Sequence, residues 1–385
     1  MAGWALVRVA LLSDCYLPRL GGIEVQVHDL AHRLVEAGHE VEVVTATAGE
    51  ARTRTVETGG GVTVHRLPLP FPGSPPVNPF ATGEVRDLLR SGGFDVAHAH
   101  MGVVSPFATD LVGVALDGGV PTAVTWHCVI DRSAPIFRAL GSARRWAARG
   151  AALSAVSSMA AARVAGIADG ADVRVLGNGI DVAAWRPGSD VVRTDEDVVR
   201  VVSAMRFVRR KRPGALVDVL LAARERLART SPGTRLEAHL VGDGPQRRLV
   251  AAGLRRRGVD GVHLPGRVTR DELRDLHRRS DVYLTTARLE AFGIAALEAR
   301  TAGLAVVARS GTGVADFVTD GREGLLRGSD EALAVALADL AADRGRLAQI
   351  RSHNLGTPPA QSWDRVVEAT VAEYARARRL AGRAP

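Results

Sequence analysis

What most constrains this chain is an alternation of apolar, strand-like runs with amphipathic helical stretches, which lapses once and restarts halfway along. Residues 6–13 form the nearly continuous apolar run of a buried parallel strand. A loop over 14–22 and a helix from about Ile23 to Ala37 follow; Gly38 stops the helix and 40–45 returns as a second strand. The spacing predicts further strands at 63–67, 95–99, 122–126, 152–156 and 173–176, with helices over 81–90, 105–116, 133–149 and from Ser157. The rhythm breaks at 177–197, where Gly-Asn-Gly-Ile-Asp leads to Trp185-Arg186-Pro187-Gly188 and an acidic stretch at 195–197. It resumes with strands at 198–204, 235–241, 262–264, 281–285 and 304–308, and helices over 213–229, 246–257, 269–279, 293–302, 330–350 and 361–379. Thr269 followed by Glu272 is a capping box. Two α/β halves of nearly equal size predict two Rossmann-like, doubly wound domains facing a central cleft, with a boundary at 185/186. Ligands then bind at the carboxyl ends of both sheets.

Composition narrows the partners. No apolar run reaches the roughly 18 residues of a membrane span, and the first ten residues enter a strand without a basic leader region, so a cytoplasmic protein is expected. Cys15 and Cys128 are too few and too far apart for a disulfide framework or a cysteine metal site. A net charge of +8 favours anionic partners. Lys211 is the only lysine among 50 basic residues, which singles it out for a site that needs a compact point charge.

Five loops after predicted strands carry polar or glycine-rich chemistry in addition to the stretch from Glu290 to Glu298. In that stretch a helix starting near Gly293 would direct the N–H groups of Phe292, Gly293 and Ile294 at an anion. The carboxylates of Glu290 and Glu298 flank that point and suit vicinal diols of a sugar. The five loops begin with Pro18-Arg19-Leu20-Gly21-Gly22, which lets backbone approach a ligand but is no Gly-x-Gly-x-x-Gly fingerprint, and this argues against a nicotinamide or flavin enzyme. Next come His98-Ala99-His100 and Thr125-Trp126-His127-Cys128, read as strand-end side chains with no carboxylate at metal spacing. His127 is the one placed to donate to a sugar hydroxyl. Arg206-Phe-Val-Arg-Arg-Lys211 supplies positive charge opposite the Gly293 helix start. Gly242-Asp243-Gly244-Pro245 reads as a tight turn.

Taken together, the Gly21-Gly22-Ile23-Glu24 loop, His98-x-His100, Thr125-x-His127, Asn178-Gly179-Ile180-Asp181, Arg206 with Lys211, Gly242-Asp-Gly-Pro and Glu290-x7-Glu298 resemble the family 4 retaining glycosyltransferases of the GT-B fold. The resemblance implies a nucleoside diphosphate sugar donor, UDP- or GDP-linked, with no cofactor or metal. It implies that Glu298 binds the ribose, Glu290 and His127 the donor sugar, and Arg206 and Lys211 the diphosphate. Phe292, Gly293 and Ile294 would add backbone donors, Gly22 would face the diphosphate, and Arg267 and Val268 would border the base. His127, Arg206, Lys211 and Glu290 are thus the expected catalytic set. Gly21, His98 and His100 are the acceptor-side candidates. It further implies that a final helix within 361–385 crosses back to complete an acceptor-side domain, 1–185, while 186–360 is the donor domain. Met205, Gly177 and Asp316 depart from residues usual in the family.

The acceptor stays open among a small molecule, a glycan and a lipid-linked hydroxyl compound; the last would bring the arginines to the anionic inner face of a membrane. A nucleotide-sugar epimerase is the alternative on the same fold. A nucleic-acid-binding protein, suggested by arginine clusters at 255–257 and 376–379, ranks below both, because aromatic residues are 4% of the chain and no stacking platform appears.

Overall fold

The structure is a computed structural model that describes residues 6–19, 21–50, 53–71, 73, 75–131, 134–187 and 197–382. Leu20, Ser133, Gly188, Asp195 and Glu196, which belong to segments singled out above, lie outside the described residues. The chain divides into two compact units, residues 1–179 with 361–385 and residues 180–360.

The first unit begins with β1 (Arg8–Ser13), α1 (Gly22–Glu36), β2 (Glu40–Thr45), β3 (Thr55–Gly59), β4 (Val62–Arg66), α2 (Thr82–Ser91), β5 (Val96–Met101) and α3 (Pro106–Asp117). It continues with β6 (Thr122–Trp126), α4 (Ala134–Leu140), α5 (Ser142–Ala148), β7 (Ala152–Ala155), α6 (Ser158–Ile167) and β8 (Val173–Val175). Its sheet runs β3-β4-β2-β1-β5-β6-β7-β8, parallel except for the β3–β4 hairpin. β1 and β5 are buried along nearly their whole length; β1 therefore reads as a nearly continuous apolar run, and β5 encloses His98 and His100. α1 lays Val27, Leu30, Ala31 and Leu34 on one face of the sheet, and α2 and α3 pack against the other.

The second unit holds α7 (Val182–Trp185), β9 (Val198–Ala204), α8 (Pro213–Thr230), β10 (Arg235–Val241), α9 (Arg247–Arg256), β11 (Val262–Gly266), α10 (Arg270–Arg278) and β12 (Val282–Leu284). α11 (Ile294–Thr301), β13 (Ala305–Arg309), β14 (Gly324–Arg327), α12 (Asp330–Ala342) and α13 (Arg344–Gly356) complete it. The sheet order is β11-β10-β9-β12-β13-β14. α7 belongs to this unit: the Trp185 ring lies 5.3 Å from that of His277 on α10. The last helix, α14 (Trp363–Ala381), returns to the first unit and packs beside α1 with Trp363, Val371 and Tyr374 in its core.

Several elements differ from expectation. β5 extends to Met101 and not to 99, so His100 lies inside the strand with His98 and not beyond it. The expected helix over 133–149 is two helices, broken where Gly141 takes a left-handed conformation. The expected helix over 330–350 is α12 and α13, broken at Asp343, whose carboxylate accepts from the Arg346 N–H and caps the second helix. β3 and β14 had no counterpart in the reading. Among the described residues no helix is long and apolar enough to cross a membrane.

Candidate functional site

In doubly wound sheets ligands bind where strand order reverses, outside the carboxyl ends of the two strands at that point. The reversal lies between β1 and β5 in the first unit and between β9 and β12 in the second. The singled-out residues follow those strands or the strands beside them.

After β9 the chain is stitched to the loop that follows β10. The Met205 N–H donates to the Val241 carbonyl at 3.0 Å, Phe207 N–H to Asp243 O at 2.9 Å and Gln246 N–H to Phe207 O at 2.9 Å. Phe207 is fully buried and anchors this crossing. A Cβ on Gly242 would overlap the Met205 carbonyl, and one on Gly244 would lie 2.7 Å from the Phe207 oxygen. Gly242-Asp-Gly-Pro is therefore a clamp on the Arg206 loop as well as a turn.

The clamp leads to Lys211 and Arg212. Arg212 has φ +55°, a conformation that costs energy outside glycine. It is held there by two hydrogen bonds to the Asp330 carboxylate, at 2.8 and 2.6 Å, and one to the Thr286 carbonyl at 3.1 Å. The Thr286 hydroxyl donates back to Arg212 O at 3.2 Å. The pairing with Arg212, despite partial burial, holds the Asp330 carboxyl below its ordinary range. Arg212 thereby ties the start of α8 to the segment after β12, and Lys211 next to it forms an ion pair with Glu290.

Glu290 is fixed in turn by its backbone, whose carbonyl accepts from the Gly313 N–H at 2.9 Å. Gly293 caps α11 at φ +94° with no side chain bonded to the first turn; a Cβ there would sit 2.8 Å from Val314 Cγ2. Tyr283, fully enclosed on β12, donates its hydroxyl to Ala204 O at 3.3 Å. Burial raises its phenol pKa most, and the charges of Glu290 and then Glu298 raise it further, so both carboxylates act on one phenol. Arg206 and Arg267 are exposed, with Arg267 4.0 Å from Asp243, and Val268 is half-buried ahead of the capping box at Thr269.

In the first unit Gly21 caps α1, and Glu24 folds back so closely that a Cβ on Gly21 would meet its carboxylate. Arg19 approaches the same carboxylate at 3.4 Å. Gly22 faces open space. Asp14, just after β1, accepts from the Phe107 and Ala108 N–H groups at 3.1 and 2.9 Å and so holds the start of α3. Burial pushes its carboxyl up to about 6.

His98 is fully buried, with Nδ1 3.0 Å from the Tyr374 hydroxyl and Nε2 2.7 Å from Thr125 Oγ1. Neither ring nitrogen is left for an acceptor. His100 Nδ1 lies 2.9 Å from His127 Nε2. Burial lowers all three imidazoles, His98 to about 3 and His127 to about 4, and the Asn178 side chain opposes the shift at His127. His100 and His127 line a cavity of about 20 Å³ with Gln26, Asn178, Gly179 and Trp363. Gln26 is bonded to both backbone groups of Gly179, at 2.9 and 3.1 Å.

Asn178, Gln26, Tyr374, Arg212 and Asp330 were not singled out from sequence for these contacts. Asn178 stood in the Asn178-Gly-Ile-Asp motif without a role, and Gln26 and Tyr374 were marked only as polar side chains on otherwise apolar helical faces. Within the arginine cluster at 376–379, Arg376 is buried and bonded to Leu153 O, Asp172 O and Glu373, while Arg378 and Arg379 are exposed. Among the described residues no group of three or more His, Cys, Asp or Glu side chains is placed to hold a metal.

Residues 20–184 match the family model described as Glycosyltransferase Family 4, and residues 200–343 match that described as Glycosyl transferases group 1. D-inositol 3-phosphate glycosyltransferase of Geodermatophilus obscurus is 30% identical over 402 residues, covering 93% of this chain and 85% of the relative. A phosphatidylinositol N-acetylglucosaminyltransferase component of Arabidopsis thaliana is 26% identical over 392 residues, covering 98% of this chain and 83% of the relative. Among solved structures, Anabaena HepE in complex with UDP and glucose is similar with a TM-score of 0.70 and 18% identity, over 95% of this chain and 98% of that one. That likeness speaks to the fold.

Proposed function

The chain belongs to glycosyltransferase family 4 and has the GT-B fold, and from that premise we propose a specific reaction for it. It moves a hexose or N-acetylhexosamine from a UDP- or GDP-linked sugar to a hydroxyl acceptor, with retention at the anomeric carbon and no need of a metal. The observation that carries this reading is the Lys211–Glu290 ion pair, which joins the chain's single lysine, after β9, to the carboxylate after β12.

In the proposed division of labour Glu298 accepts from the ribose hydroxyls, and the backbone at Arg267 and Val268 borders the base. Arg206, Lys211 and the N–H groups of Phe292, Gly293 and Ile294 bind the diphosphate. Negative charge grows on that leaving group as the glycosidic bond breaks. Fixed donors there contribute about 2.7–4 kcal/mol each by analogy with oxyanion holes. A diphosphate that draws Lys211 away frees the Glu290 oxygens for sugar hydroxyls. From the first unit, His127 is assigned to the donor sugar, Gly22 to the diphosphate and Gly21 to the acceptor side. The leaving oxygen itself takes the acceptor proton on the same face of the sugar.

The relatives' names support an inositol-bearing acceptor, free phosphate or phospholipid, as the first to assay. A lipid-linked one would bring exposed arginines such as Arg255 and Arg256 to an anionic membrane face, and failure to bind acidic liposomes would remove that part. Thermal shifts against UDP, GDP, ADP and their sugars identify the donor, because stabilisation follows ligand concentration over Kd. Incubation of that donor with inositol 3-phosphate should give a retained glycoside in the presence of chelator. Conversion of the donor alone to an epimer would overturn the transferase reading, and inhibition by chelator would overturn the metal-free one.

A further inference from the structure

Arg212 is the one residue between the short helical turn Arg209–Lys211 and the start of α8 at Pro213, and it joins them at φ +55° and ψ +49°. A Cβ makes this left-handed conformation costly, and a proline next in the chain restricts the backbone further. Glycine would take the same turn freely. The arginine side chain therefore has to offset a cost that glycine would not incur.

What offsets it converges on Asp330. The two guanidinium Nη atoms grip the two carboxylate oxygens at 2.8 and 2.6 Å in the bidentate geometry that makes such pairs strong, and Nη1 also donates to the Thr286 carbonyl at 3.1 Å. Both partners are largely enclosed, at 21% and 25% exposure, so water screens the pair less than it would at the surface. Arg309, the last residue of β13, lies 3.4 Å from the same carboxylate. Asp330 itself opens α12, beside the Ser329 cap, where a helix start favours an anion. One carboxylate thus ties together the chain after β9, after β12 and at the end of β13.

Lys211 takes its place from this junction. Its N–H donates to Val208 O at 3.0 Å and that of Arg212 to Arg209 O at 3.1 Å, so the turn is closed on both sides of the lysine. Glu290, the ion-pair partner of Lys211, lies four positions beyond Thr286. The Arg212–Thr286 bonds, one in each direction, therefore set the gap that the lysine side chain spans. Stabilisation of a growing charge depends on where the cation stands before the bond breaks, and a small misplacement is costly.

We propose that Asp330 is a positioning residue for the reaction: through Arg212 it fixes the turn that carries Lys211, and so the place of the ammonium against the leaving diphosphate. This rests on the assignment of Lys211 to the diphosphate. Asp330 acts through Arg212 and does not touch the donor.

The test measures turnover by the full chain of the donor that the thermal shifts identify, with urea midpoints taken alongside. Arg212→Gly allows the left-handed turn but cuts the tether; it should remain folded, lower kcat about tenfold and leave the donor KM within about twofold. Asp330→Asn should lower kcat in the same direction, and the double variant Arg212→Gly/Asp330→Asn should be no slower than Arg212→Gly alone. In a Lys211→Met background Asp330→Asn should have no further effect on kcat, whereas a merely structural role would carry its loss into every background. Wild-type kcat in Asp330→Asn, or an undiminished loss on adding it to Lys211→Met, would overturn the proposal. Lys211→Met alone separates the two readings. Full activity in that variant removes Lys211 from the diphosphate and the proposal with it, whereas a loss there beside an unaffected Asp330→Asn sinks the positioning role alone.

Discussion

Lys211 and Glu290 neutralise one another, so any ligand that uses either must compete with the partner. An ammonium is a compact charge that exchanges one oxygen for another at little cost. A guanidinium binds a carboxylate through two parallel hydrogen bonds and releases it reluctantly. Lys211→Arg should therefore fold normally and lose about tenfold in kcat/KM, some 1.4 kcal/mol, because Glu290 stays engaged. Wild-type kinetics would remove Lys211 from the diphosphate role. His277 gives the opposite case. It is fully buried on α10, and neither ring nitrogen has a hydrogen-bond partner. An unsatisfied buried polar group costs about 1–3 kcal/mol. His277→Leu keeps an apolar contact for Trp185 and should raise stability by about 1 kcal/mol, seen as a higher urea midpoint at unchanged slope. A lower midpoint would mean that the ring packs better than its polarity costs. Lys211 was legible because it is unique in composition. His277 was not, since a histidine in a strongly charged helix reads as surface, and Trp185, 92 positions earlier, packs its ring 5.3 Å from it.

Elements were legible in proportion to how completely they are buried. β1, β6 and β9 show as largely apolar runs because both faces of the sheet are covered. β3 is an edge strand with almost every residue exposed, and Thr-Val-Glu-Thr-Gly carries no alternation that would reveal it. α12 and α13 merged in the reading because helical periodicity runs through their junction, and only the local cap at Asp343 breaks it. At the site, the two helix starts were visible from their glycines, but the clamp at Arg212 was not. Its partners are 74 and 118 residues away, and its φ of +55° has no sequence signal. The glycines themselves separate packing from chemistry. Gly22→Ala introduces a methyl into open space at an ordinary backbone conformation. It should change stability by less than about 0.5 kcal/mol, yet lower activity if a diphosphate comes close to the start of α1. Gly293→Ala forces φ +94° on alanine and meets Val314 at 2.8 Å. It should cost about 1–3 kcal/mol and weaken nucleotide binding with it. Equal stability loss in the two variants, measured by urea unfolding, would contradict this difference.

Across the whole molecule, the buried imidazoles set how the chain meets acid. His98, His100 and His127 in the first unit and His277 in the second are held below their ordinary pKa by burial, to about 3 at His98 and His277 and about 4 at His127. The unfolded chain takes up these protons near pH 6.5 and the folded chain does not, so stability falls as pH drops below about 6.5. Asp14 works the other way. Its carboxyl, raised to about 6, binds a proton in the folded state well before the unfolded state does, which adds stability as pH falls from about 6 toward 4. Each proton of difference is worth about 1.4 kcal/mol per pH unit. In the first unit His39, His98, His100 and His127 thus work against the raised carboxyls of Asp14, Asp110 and Glu373, and in the second His239 and His277 draw stability down as pH falls. Region-resolved hydrogen exchange should show β5, β6 and α14, around the buried His98 and Tyr374, less protected at pH 5 than at pH 7. His277→Leu should weaken the response of the second unit, leaving the part that belongs to His239. Equal protection of β5, β6 and α14 at the two pH values would show that the histidines around Tyr374 take up protons in the folded state as readily as in the unfolded one.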